Sequence, residues 1–518
     1  MKHIKELFEG LEYRVLQEAG DGMVGGIRYD SRTVQENDLF VCIPGADHDG
    51  HDFAPEVIAK GAKVLLVQRD IRRELSEAVS KKHGKSELLL TSEALAGVTI
   101  LQVEDVRYAM AFISAAWFDH PADKLTVIGI TGTKGKTTTT YLVRSILEQA
   151  GRRVGLIGTI EIIIGDEHIH ADHTTPESYL VQEYFEKMLK AGCDTVVMEV
   201  SSQALMLHRT QGFIFDYGIF TNLSVDHIGE HEHKDFADYL HCKSLLFRQC
   251  RVGIFNCDDE HWEEVAQGHT CRIETYGFGE QADYRALEPK LTGGAGYLGV
   301  DFKTEGRVSL NMQLKMPGRF SVYNALCAIA ICCHFGVSPD VMQDAVKNAR
   351  VRGRIELVPV SDEFTLLIDY AHNAMSLRSL LETLREYDPV RLVCLFGCGG
   401  NRSKDRRYEM GQVSGELADL TVITSDNPRS EEPQAIIDDI KNGIGRTDGE
   451  YVEIPDRREA IAYVIHNGRP GDLIVLAGKG HEDYQEICGR KYPMDERVII
   501  ADILKADRQG SAIIDKEG

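Results

Sequence analysis

The sequence lacks long hydrophobic runs, paired cysteines and an excess of positive charge, and each absence excludes a class of protein. No apolar stretch approaches the roughly 18–20 residues that a membrane-spanning helix needs. The first residues do not include the apolar segment of a secretory signal peptide. The 12 cysteines form no Cys-x-x-Cys pair and no zinc-type spacing. We therefore expect reduced, mostly buried thiols in a cytoplasmic protein without membrane insertion.

Positive charge is scarce over the whole chain. Lysine and arginine number 58 against 81 aspartates and glutamates, which gives a formal net charge of −23. A field of this sign argues against binding to nucleic acid or to an anionic membrane surface. Small anionic substrates are not excluded, because they respond to a few local donors rather than to the net charge.

The 518 residues are too many for one hydrophobic core and correspond to about three domains at roughly 150 residues each. Turn-forming segments near 120–124 and 349–352 place the boundaries, which predicts domains 1–119, 120–350 and 351–518. Short apolar segments alternate with amphipathic ones, as in an α/β fold with parallel sheets covered on both faces. The last dozen residues are expected to form a frayed tail. The predicted strands are 38–43, 63–67, 125–130, 195–200, 218–221, 252–256, 365–368, 392–396, 420–424 and 472–477.

Polar clusters follow the four predicted strands of the C-terminal third. Open α/β sheets bind ligands beyond the carboxyl ends of their strands, so four such clusters predict one composite site. The clusters are Asp369-Tyr-Ala-His372, Gly397-Cys-Gly-Gly-Asn-Arg402, Ser425-Asp-Asn-Pro-Arg429 and Gly478-Lys-Gly-His-Glu482.

A glycine-rich segment, Gly129-Ile-Thr-Gly-Thr-Lys-Gly-Lys-Thr-Thr138, predicts a phosphate loop. It follows a predicted strand and opens a helix that should end near Ala150, so backbone N–H groups can surround a phosphate. The spacing is shorter than the strict Walker pattern, whose first glycine is replaced by Ile130. ATP or GTP binding is expected, and the absence of Asn-Lys-x-Asp argues against a GTPase. The expected nucleotide contacts are Gly132, Thr133, Lys134, Gly135, Lys136, Thr137 and Thr138, with the Thr137 hydroxyl as a candidate Mg²⁺ ligand.

Glu199, at the end of the strand predicted over 195–200, is a candidate for the acidic metal ligand opposite this loop. A solvated carboxylate at a strand end is an equal alternative from the residues alone.

An ordered series of motifs resembles the Mur ligases, the ATP-dependent amide-bond synthetases of peptidoglycan precursor assembly. The resemblance covers about residues 25–500. The series comprises Gly132-Thr-Lys-Gly-Lys-Thr-Thr138, Glu199-Val-Ser-Ser202, Asn222-Leu-Ser-Val-Asp-His227, Pro317-Gly-Arg-Phe320 with Asn324, Gly353-Arg354 and Asp369-Tyr-Ala-His372. Four segments resemble the family members that add the third amino acid: Asp30-Ser-Arg-Thr-Val34, Thr174-Thr-Pro176, Asp426-Asn-Pro-Arg429 and Gly478-Lys-Gly-His-Glu-Asp483.

The resemblance implies a small N-terminal α/β domain for the UDP end of the substrate, a central P-loop ATPase-like domain for ATP, and a C-terminal Rossmann-like domain for the incoming amino acid. It implies ATP contacts from Asn324, Arg354, Asp369 and His372. It implies substrate contacts from Ser31 and Arg32 at the UDP moiety, from Thr174, Thr175, Ser202 and Arg209 at the muramoyl peptide, and from Arg402, Asp426, Asn427, Arg429, Gly478 and Glu482 at the amino acid.

The resemblance also implies that Lys243 carries a carbamate formed with CO₂ and helps to hold Mg²⁺. Thr137, Glu199 and His227 would be the other metal ligands, and Lys136 would act with them in catalysis. Without the resemblance, Lys243 would be a solvated helix lysine. His231 and His233 are interpreted as residues of a solvated loop.

The implied reaction moves the γ-phosphate of ATP to the D-glutamate side-chain carboxylate of UDP-N-acetylmuramoyl-L-alanyl-D-glutamate. The amine of meso-diaminopimelate then displaces phosphate from the acyl phosphate, with Arg429 facing the distal carboxylate and Glu482 the distal amine. The same reaction with L-lysine or another diamino acid competes with this interpretation. A folylpolyglutamate synthetase and a cyanophycin-type ligase are further alternatives, but the segments Asp426-Asn-Pro-Arg429 and Gly478-Lys-Gly-His-Glu482 argue against both. A non-catalytic nucleotide-binding paralogue is another alternative, but it need not retain Lys136, Glu199, His227, Lys243 and Arg354, which are all present. A monomer is expected. Asn373-Ala-Met stands where the family usually has Thr-Pro-Asp, which leaves the adenine and ribose contacts open.

Overall fold

The computed structural model describes residues 1–45, 48–80, 90–226, 228–229, 232–294 and 296–517. The chain forms two compact units, one of Met1–Thr140 with Gly151–Thr275 and one of Tyr141–Ala150 with Tyr276–Gly518. Both contain mainly parallel sheets with helical connections, which confirms the predicted α/β class. The domain limits at 119/120 and 350/351 stay a prediction.

The first unit begins with a five-stranded sheet. Only its edge strand, Arg14–Gln17, is antiparallel to its neighbour, and the other pairings are parallel. Leu65 and Leu66 lie in different hydrophobic clusters, so both faces of the sheet are covered. The strand order is Arg14–Gln17, Thr99–Gln102, Val64–Val67, Leu39–Val41 and Ile27–Arg28. The helices are Ile4–Leu7, Ala54–Ala59, Arg72–Ser80, Ser92–Ala96 and Val106–Trp117, with short 3₁₀ turns at Ser31–Thr33, Gly50–Phe53 and Pro121–Lys124.

The second sheet of this unit holds the phosphate loop. Its central strands are almost fully buried and pair in parallel, as expected for nearly continuous apolar runs covered on both faces. The strand order is Glu167–His170, Glu161–Ile164, Val154–Ile157, Thr195–Glu199, Thr126–Thr131, Phe215–Phe220, Cys250–Asn256 and Arg272–Gly277. The helices are Ser178–Lys190, Ser202–Met206, Phe236–Ser244 and Trp262–Val265, with a 3₁₀ turn at Leu245–Arg248. Helix Lys136–Gln149 begins in this unit, and its residues from Tyr141 onward are assigned to the second unit.

The second unit contains a group of largely antiparallel strands followed by a six-stranded sheet. The first group is Tyr284–Gly294, Tyr297–Gly306 and Asn311–Leu314, and helices Arg319–His334 and Pro339–Asn348 follow it. The six-stranded order is Glu356–Val358, Thr365–Asp369, Asp472–Ala477, Arg391–Phe396, Leu420–Ile423 and Tyr451–Glu453, with only the first pair antiparallel. Its helices are Ala374–Arg385, Lys404–Leu417, Pro433–Ile444, Arg457–His466 and Glu496–Glu517, and Tyr484–Ile487 pairs with Arg490–Pro493 as a hairpin.

Two sequence predictions differ from the structure. The strand expected over 218–221 begins three residues earlier, at Phe215, because the polar residues Asp216 and Tyr217 are also in extended backbone. The prediction of a frayed tail is wrong, since the last helix continues to Glu517. Its sequence contains three alanines, two lysines, two arginines and two glutamates, which favour a helix and outweigh the single Gly510.

Two expectations about composition hold in the described part of the chain. No helix there is long and apolar enough to cross a membrane. All 12 cysteines lie in described segments, all are free thiols, and nine are buried.

Candidate active site

The predicted phosphate loop follows strand Thr126–Thr131 and opens helix Lys136–Gln149. Gly132 has a φ of +146°, and a Cβ added to it would lie 1.9 Å from Thr221 Oγ1. The neighbouring strand end also fixes the loop. The Asn222 carbonyl accepts a hydrogen bond from Thr133 N (2.8 Å), and its side-chain oxygen accepts one from Lys134 N (2.9 Å). The loop shape is therefore set by protein contacts.

Lys136 lies against this loop. Its ammonium donates to the carbonyl oxygens of Gly132 (2.8 Å) and Thr133 (3.2 Å). These bonds keep the charge at the loop, where it can neutralise phosphate oxygens held by the loop amides.

Glu199 is buried, with 1% of its surface exposed, so the alternative of a solvated strand-end carboxylate is wrong. It accepts hydrogen bonds from Thr137 Oγ1 (3.0 Å), Thr159 N (2.9 Å) and Thr159 Oγ1 (3.0 Å). A buried carboxylate beside a threonine hydroxyl offers the hard oxygen ligands that Mg²⁺ prefers. The residues present thus fit a magnesium ion.

Lys243 is also buried, at 1% exposure, and is not a solvated helix lysine. Its Nζ donates to the Gly132 carbonyl (2.9 Å) and lies 4.4 Å from the centre of the Tyr239 ring. Burial, with a further contribution from the nearby Lys136 charge, lowers the pKa of this amine well below its usual value. The shift is toward the neutral amine, which is the nucleophilic form.

The muramoyl-peptide candidates adjoin Glu199. Thr174 Oγ1 is hydrogen-bonded to Thr159 Oγ1 (3.0 Å), and Thr175 Oγ1 donates to the Glu199 carbonyl (2.8 Å). Arg209 is already engaged: it pairs with Glu177 (2.8 Å) and donates to the Thr175 carbonyl (3.1 Å). A substrate carboxylate would have to share this guanidinium with Glu177.

Ser31 and Arg32 lie in a 3₁₀ turn capped by Asp30, whose side chain accepts from Arg32 N. The Arg32 side chain is 85% exposed and pairs with Asp30 at 2.6 Å. This hydrogen bond lowers the pKa of the Asp30 carboxyl. The Ser31 carbonyl accepts from Lys60 Nζ (2.8 Å).

In the second unit, the four polar clusters follow strands that are adjacent and parallel, which confirms that they share one edge of the sheet. Asp369 orders the first cluster by accepting from Ile355 N and Ala371 N, both at 2.8 Å. The Arg354 guanidinium lies 4.5 Å from the centre of the Tyr370 ring, and His372 Nδ1 is 2.9 Å from the Tyr370 carbonyl.

The clusters at 425–429 and 478–482 meet at a buried lysine, Lys479. Its ammonium donates to Asn427 Oδ1 (3.0 Å), to Glu482 Oε2 (2.9 Å) and to the Tyr484 carbonyl. Asn427 Nδ2 also donates to Glu482 (2.9 Å). Asn427 and Glu482, both expected to contact the incoming amino acid, are thus held together by Lys479.

Arg429 lies at the edge of this cluster with a positive φ of 51°. Its Nη1 donates to the Gly400 carbonyl (2.6 Å), and its Nε pairs with Glu486 (3.2 Å). The side chain is 27% exposed, so protein encloses it only in part.

Three family models match successive parts of the chain. They describe the Mur ligase family catalytic domain (residues 23–117), the Mur ligase middle domain (130–332) and the Mur ligase glutamate ligase domain (353–480). A UDP-N-acetylmuramoyl-L-alanyl-D-glutamate–2,6-diaminopimelate ligase of Caldanaerobacter subterraneus subsp. tengcongensis is 41% identical over 483 residues, covering 93% of this chain and 95% of that protein. The chain belongs to the Mur ligase family.

Two further comparisons agree with this membership. The Clostridium perfringens protein of the same name is 38% identical over 509 residues, covering 97% of this chain and 99% of that protein. A solved structure of a UDP-N-acetylmuramoyl-L-alanyl-D-glutamate–2,6-diaminopimelate ligase superimposes with a TM-score of 0.68 at 26% identity, over 98% of this chain and 99% of that one. Folylpolyglutamate synthase of Mycobacterium tuberculosis shares the fold, with a TM-score of 0.55 at 17% identity over 70% of this chain. Like its family, this Mur ligase is an ATP-dependent, ADP-forming enzyme.

The remaining candidates are distributed as follows in this Mur ligase. Asn324 is buried in helix Arg319–His334, and Asp426 is buried beside Gly478, where a Cβ would lie 3.0 Å from Asp426 Oδ2. Arg402 is exposed. His227 lies outside the described residues. Asn373, which departs from the family motif, caps helix Ala374–Arg385 by accepting from Ser376 N (2.9 Å).

Sequence reasoning missed several residues that the structure places beside these candidates. His233 is fully buried and is 2.8 Å from Ser202 Oγ, so its interpretation as a solvated loop residue is wrong. Lys479 stands inside a motif that was recognised, but a lysine between two glycines gives no sign of being buried. Thr159 and Glu486 carry no motif, and only tertiary contacts reveal them.

Proposed function

We propose that this Mur ligase joins meso-diaminopimelate to the D-glutamate side-chain carboxylate of UDP-N-acetylmuramoyl-L-alanyl-D-glutamate, in peptidoglycan precursor synthesis. The relatives named above, with this activity in their names, are similar over nearly the whole chain. The observation that carries the proposal in the structure is the set of four polar clusters on adjacent parallel strands, because it places Arg429, Asn427 and Glu482 at one sheet edge. Cationic, amide and carboxylate groups there suit a ligand with both carboxylates and amines.

ATP activates the substrate carboxylate. The loop amides and Lys136 would hold the phosphates, and Arg354, Asp369 and His372 are proposed as further nucleotide contacts. The γ-phosphoryl group moves to the carboxylate oxygen and ADP leaves. The amine nitrogen then attacks the acyl carbon, phosphate leaves, and the amine loses a proton. Side chains contribute positioning and charge neutralisation rather than covalent chemistry.

Thr137, Glu199, His227 and a carbamate on Lys243 are proposed to hold Mg²⁺. When bound, Mg²⁺ would neutralise charge on the transferring phosphoryl group. The lowered pKa of Lys243 supports the carbamate, because the uncharged amine R–NH₂ reacts with CO₂ to give R–NH–COO⁻ and a proton. A buried amine is no ligand for Mg²⁺, whereas the carbamate supplies the oxygen that this ion prefers.

Arg429 is proposed to select meso-diaminopimelate over L-lysine. The two molecules differ by one distal carboxylate, and a guanidinium can grip a carboxylate through two parallel hydrogen bonds. A lysine ammonium beside Arg429 would add a like charge without a partner. Glu482, with Asn427 beside it, is proposed to receive the distal amine.

We propose a cytoplasmic monomer that binds neither nucleic acid nor membrane. The use of ATP and of a UDP-linked substrate supports this location. The net charge of −23 supports the absence of polyanionic partners.

The proposal is tested by measuring phosphate release with the UDP-muramoyl-dipeptide and a panel of diamino acids. We expect turnover that requires the UDP-dipeptide and meso-diaminopimelate together, with ADP and the UDP-tripeptide as products. Equal use of L-lysine would refute the selectivity argument, and no turnover with any amino acid would refute the ligase.

A matched pair of variants tests the role of Arg429. Arg429→Ala should lower kcat/KM for meso-diaminopimelate at least 100-fold and leave the KM for ATP within about twofold, since each lost charged contact costs roughly 2–3 kcal/mol. Arg490→Ala removes an exposed arginine from the nearby hairpin and should change neither value. An equal loss in both variants would contradict a specific role for Arg429.

A further inference from the structure

A hydrogen-bonded chain of three side chains runs from Asp238 through His233 to Ser202. His233 Nδ1 lies 3.1 Å from Asp238 Oδ2, and its Nε2 lies 2.8 Å from Ser202 Oγ. The imidazole is fully buried, and Ser202 is only 4% exposed. Both ring nitrogens are therefore committed to protein partners.

The partners fix the direction of each hydrogen bond when the ring is neutral. The Asp238 carboxylate can only accept, so Nδ1 carries the proton and donates to it. Nε2 is then an acceptor, and the Ser202 hydroxyl must donate to it. The Ser202 oxygen keeps its lone pairs, so toward a ligand it is a hydrogen-bond acceptor.

The chain is part of the same scaffold as the phosphate loop. Asp238 lies on helix Phe236–Ser244, which also carries Tyr239 and Lys243. The Tyr239 hydroxyl is 3.0 Å from Thr133 Oγ1, and its ring packs 5.1 Å from the His233 ring. Ser202 follows Ser201, whose N–H donates to Thr175 Oγ1 (3.1 Å). The chain thus reaches from the nucleotide loop to the residues proposed for the muramoyl peptide.

We infer that His233 is a positioning residue for the muramoyl peptide. Anchored by Asp238, it accepts the hydrogen bond from the Ser202 hydroxyl and so directs the lone pairs of the Ser202 oxygen toward a peptide N–H of the bound substrate. This inference rests on the proposed function and changes the contact expected from Ser202. Its oxygen can only accept a hydrogen bond from a ligand, so it is a poor partner for a substrate carboxylate, which also only accepts. The carboxylate is left to a donor such as Arg209.

The inference is preferred to a metal site at the same place. The ligand atoms of His233, Asp238 and Cys242 lie close enough together to hold an ion. However, a metal would need a ring nitrogen that is already hydrogen-bonded to Ser202 or Asp238, so the observed geometry favours the hydrogen-bonded chain.

Steady-state kinetics on the full-length ligase test the inference, with the KM measured separately for the UDP-dipeptide, ATP and meso-diaminopimelate. His233→Leu removes both hydrogen bonds and should raise the KM for the UDP-dipeptide at least tenfold, with the other two KM values within twofold. His233→Gln keeps an amide oxygen for Ser202 and should restore part of the affinity. His241→Gln changes an exposed histidine on helix Phe236–Ser244, which also carries Asp238, and is the control.

A double variant asks whether His233 acts through Ser202. Ser202→Ala combined with His233→Leu should have the same KM for the UDP-dipeptide as Ser202→Ala alone. Additive losses, or an unchanged KM in His233→Leu, would overturn the inference. If His233→Leu does not fold, Asp238→Ala, alone and combined with Ser202→Ala, gives the same comparison. Stoichiometric zinc that is lost in Cys242→Ala would also overturn it, in favour of a metal site.

The unmodified ligase separates the two proposals. If it uses the UDP-dipeptide while His233→Leu keeps the same KM, only the positioning role fails. If it does not use the UDP-dipeptide at all, the proposed function fails and the positioning role fails with it.

Discussion

Burial beside a second cation determines what Lys243 can do. An ammonium in this position loses its hydration and lies near the Lys136 charge, so its pKa is lowered well below the usual value. A charged lysine is a poor nucleophile toward CO₂, and the lowered pKa shifts Lys243 toward the uncharged amine that reacts. The proposed carbamate would give this position an oxygen ligand for a cation, which a buried amine cannot supply.

At the residue scale we predict that Lys243→Ala lowers kcat at least 100-fold with little change in protein stability. Short carboxylic acids such as formate or acetate should restore part of the activity, because they can occupy the space and supply the missing oxygen ligand. The measurement is phosphate release over a range of added acid. Lys136→Ala is the control, since an added carboxylate cannot replace its positive charge. Full activity of Lys243→Ala without added acid would exclude the carbamate.

His233 and Ser202 belong to the same scale. A serine hydroxyl can donate or accept a hydrogen bond. When His233 accepts the hydrogen bond of the Ser202 hydroxyl, the Ser202 oxygen can only accept from a ligand. The role of such a residue follows from its partner rather than from its own type.

At the scale of elements, a buried arginine joins two helices that lie next in the chain to the polar clusters at 397–402 and 425–429. Arg407, on helix Lys404–Leu417, is 1% exposed and pairs with Glu431 (2.7 Å) and with Asp439 (2.9 Å) on helix Pro433–Ile444. Glu431 stands two residues after Arg429, and its carboxylate also accepts from Asn401 N. These contacts fix the segment that carries Arg429.

The hydrogen bond from Arg407 lowers the pKa of Glu431 to about 2. The folded-state pKa is thus below that of the unfolded chain, about 4.3. The stabilisation is complete above the unfolded value and is lost as the pH falls from about 4.3 toward 2. We predict that Glu431→Gln lowers the urea midpoint at pH 7, and that its difference from the unmodified protein shrinks over this range.

Glu409→Gln, an exposed change on the same helix as Arg407, is the control for the Glu431 variant. At every pH between 2 and 7, its urea midpoint should be nearly the same as that of the unmodified protein. A Glu431→Gln difference that stays constant down to pH 2 would contradict the proposed ion pair.

At the scale of the whole molecule, the N-terminal 119 residues have a sheet with a core on each face. They also contact the following segment, since Arg107 pairs with Glu177 (2.9 Å) and Tyr29 packs 6.2 Å from Tyr179. An independent domain with these outside contacts should fold alone but with reduced stability.

We therefore predict that fragment 1–119 unfolds cooperatively in urea, at a lower midpoint than the full chain. Circular dichroism and tryptophan fluorescence measure this. Fragment 1–108 lacks most of helix Val106–Trp117 and should not unfold cooperatively, because the cluster that contains Met110 and Ile113 is then incomplete. A disordered fragment 1–119 would refute the predicted boundary.

The sequence by itself determined the α/β class, most strand positions, the phosphate loop and the shared edge of the four C-terminal clusters. These follow from local patterns: apolar runs define buried strands, glycines define the loop, and parallel strands bring their carboxyl ends together. Only the tertiary structure decided that Glu199, Lys243 and His233 are buried, and that Lys479 and Glu486 hold Asn427, Glu482 and Arg429. The reason is physical. Burial and hydrogen bonding depend on segments that are distant in the chain. Burial lowers the pKa of Lys243, and the buried His233 ring determines that the Ser202 hydroxyl donates.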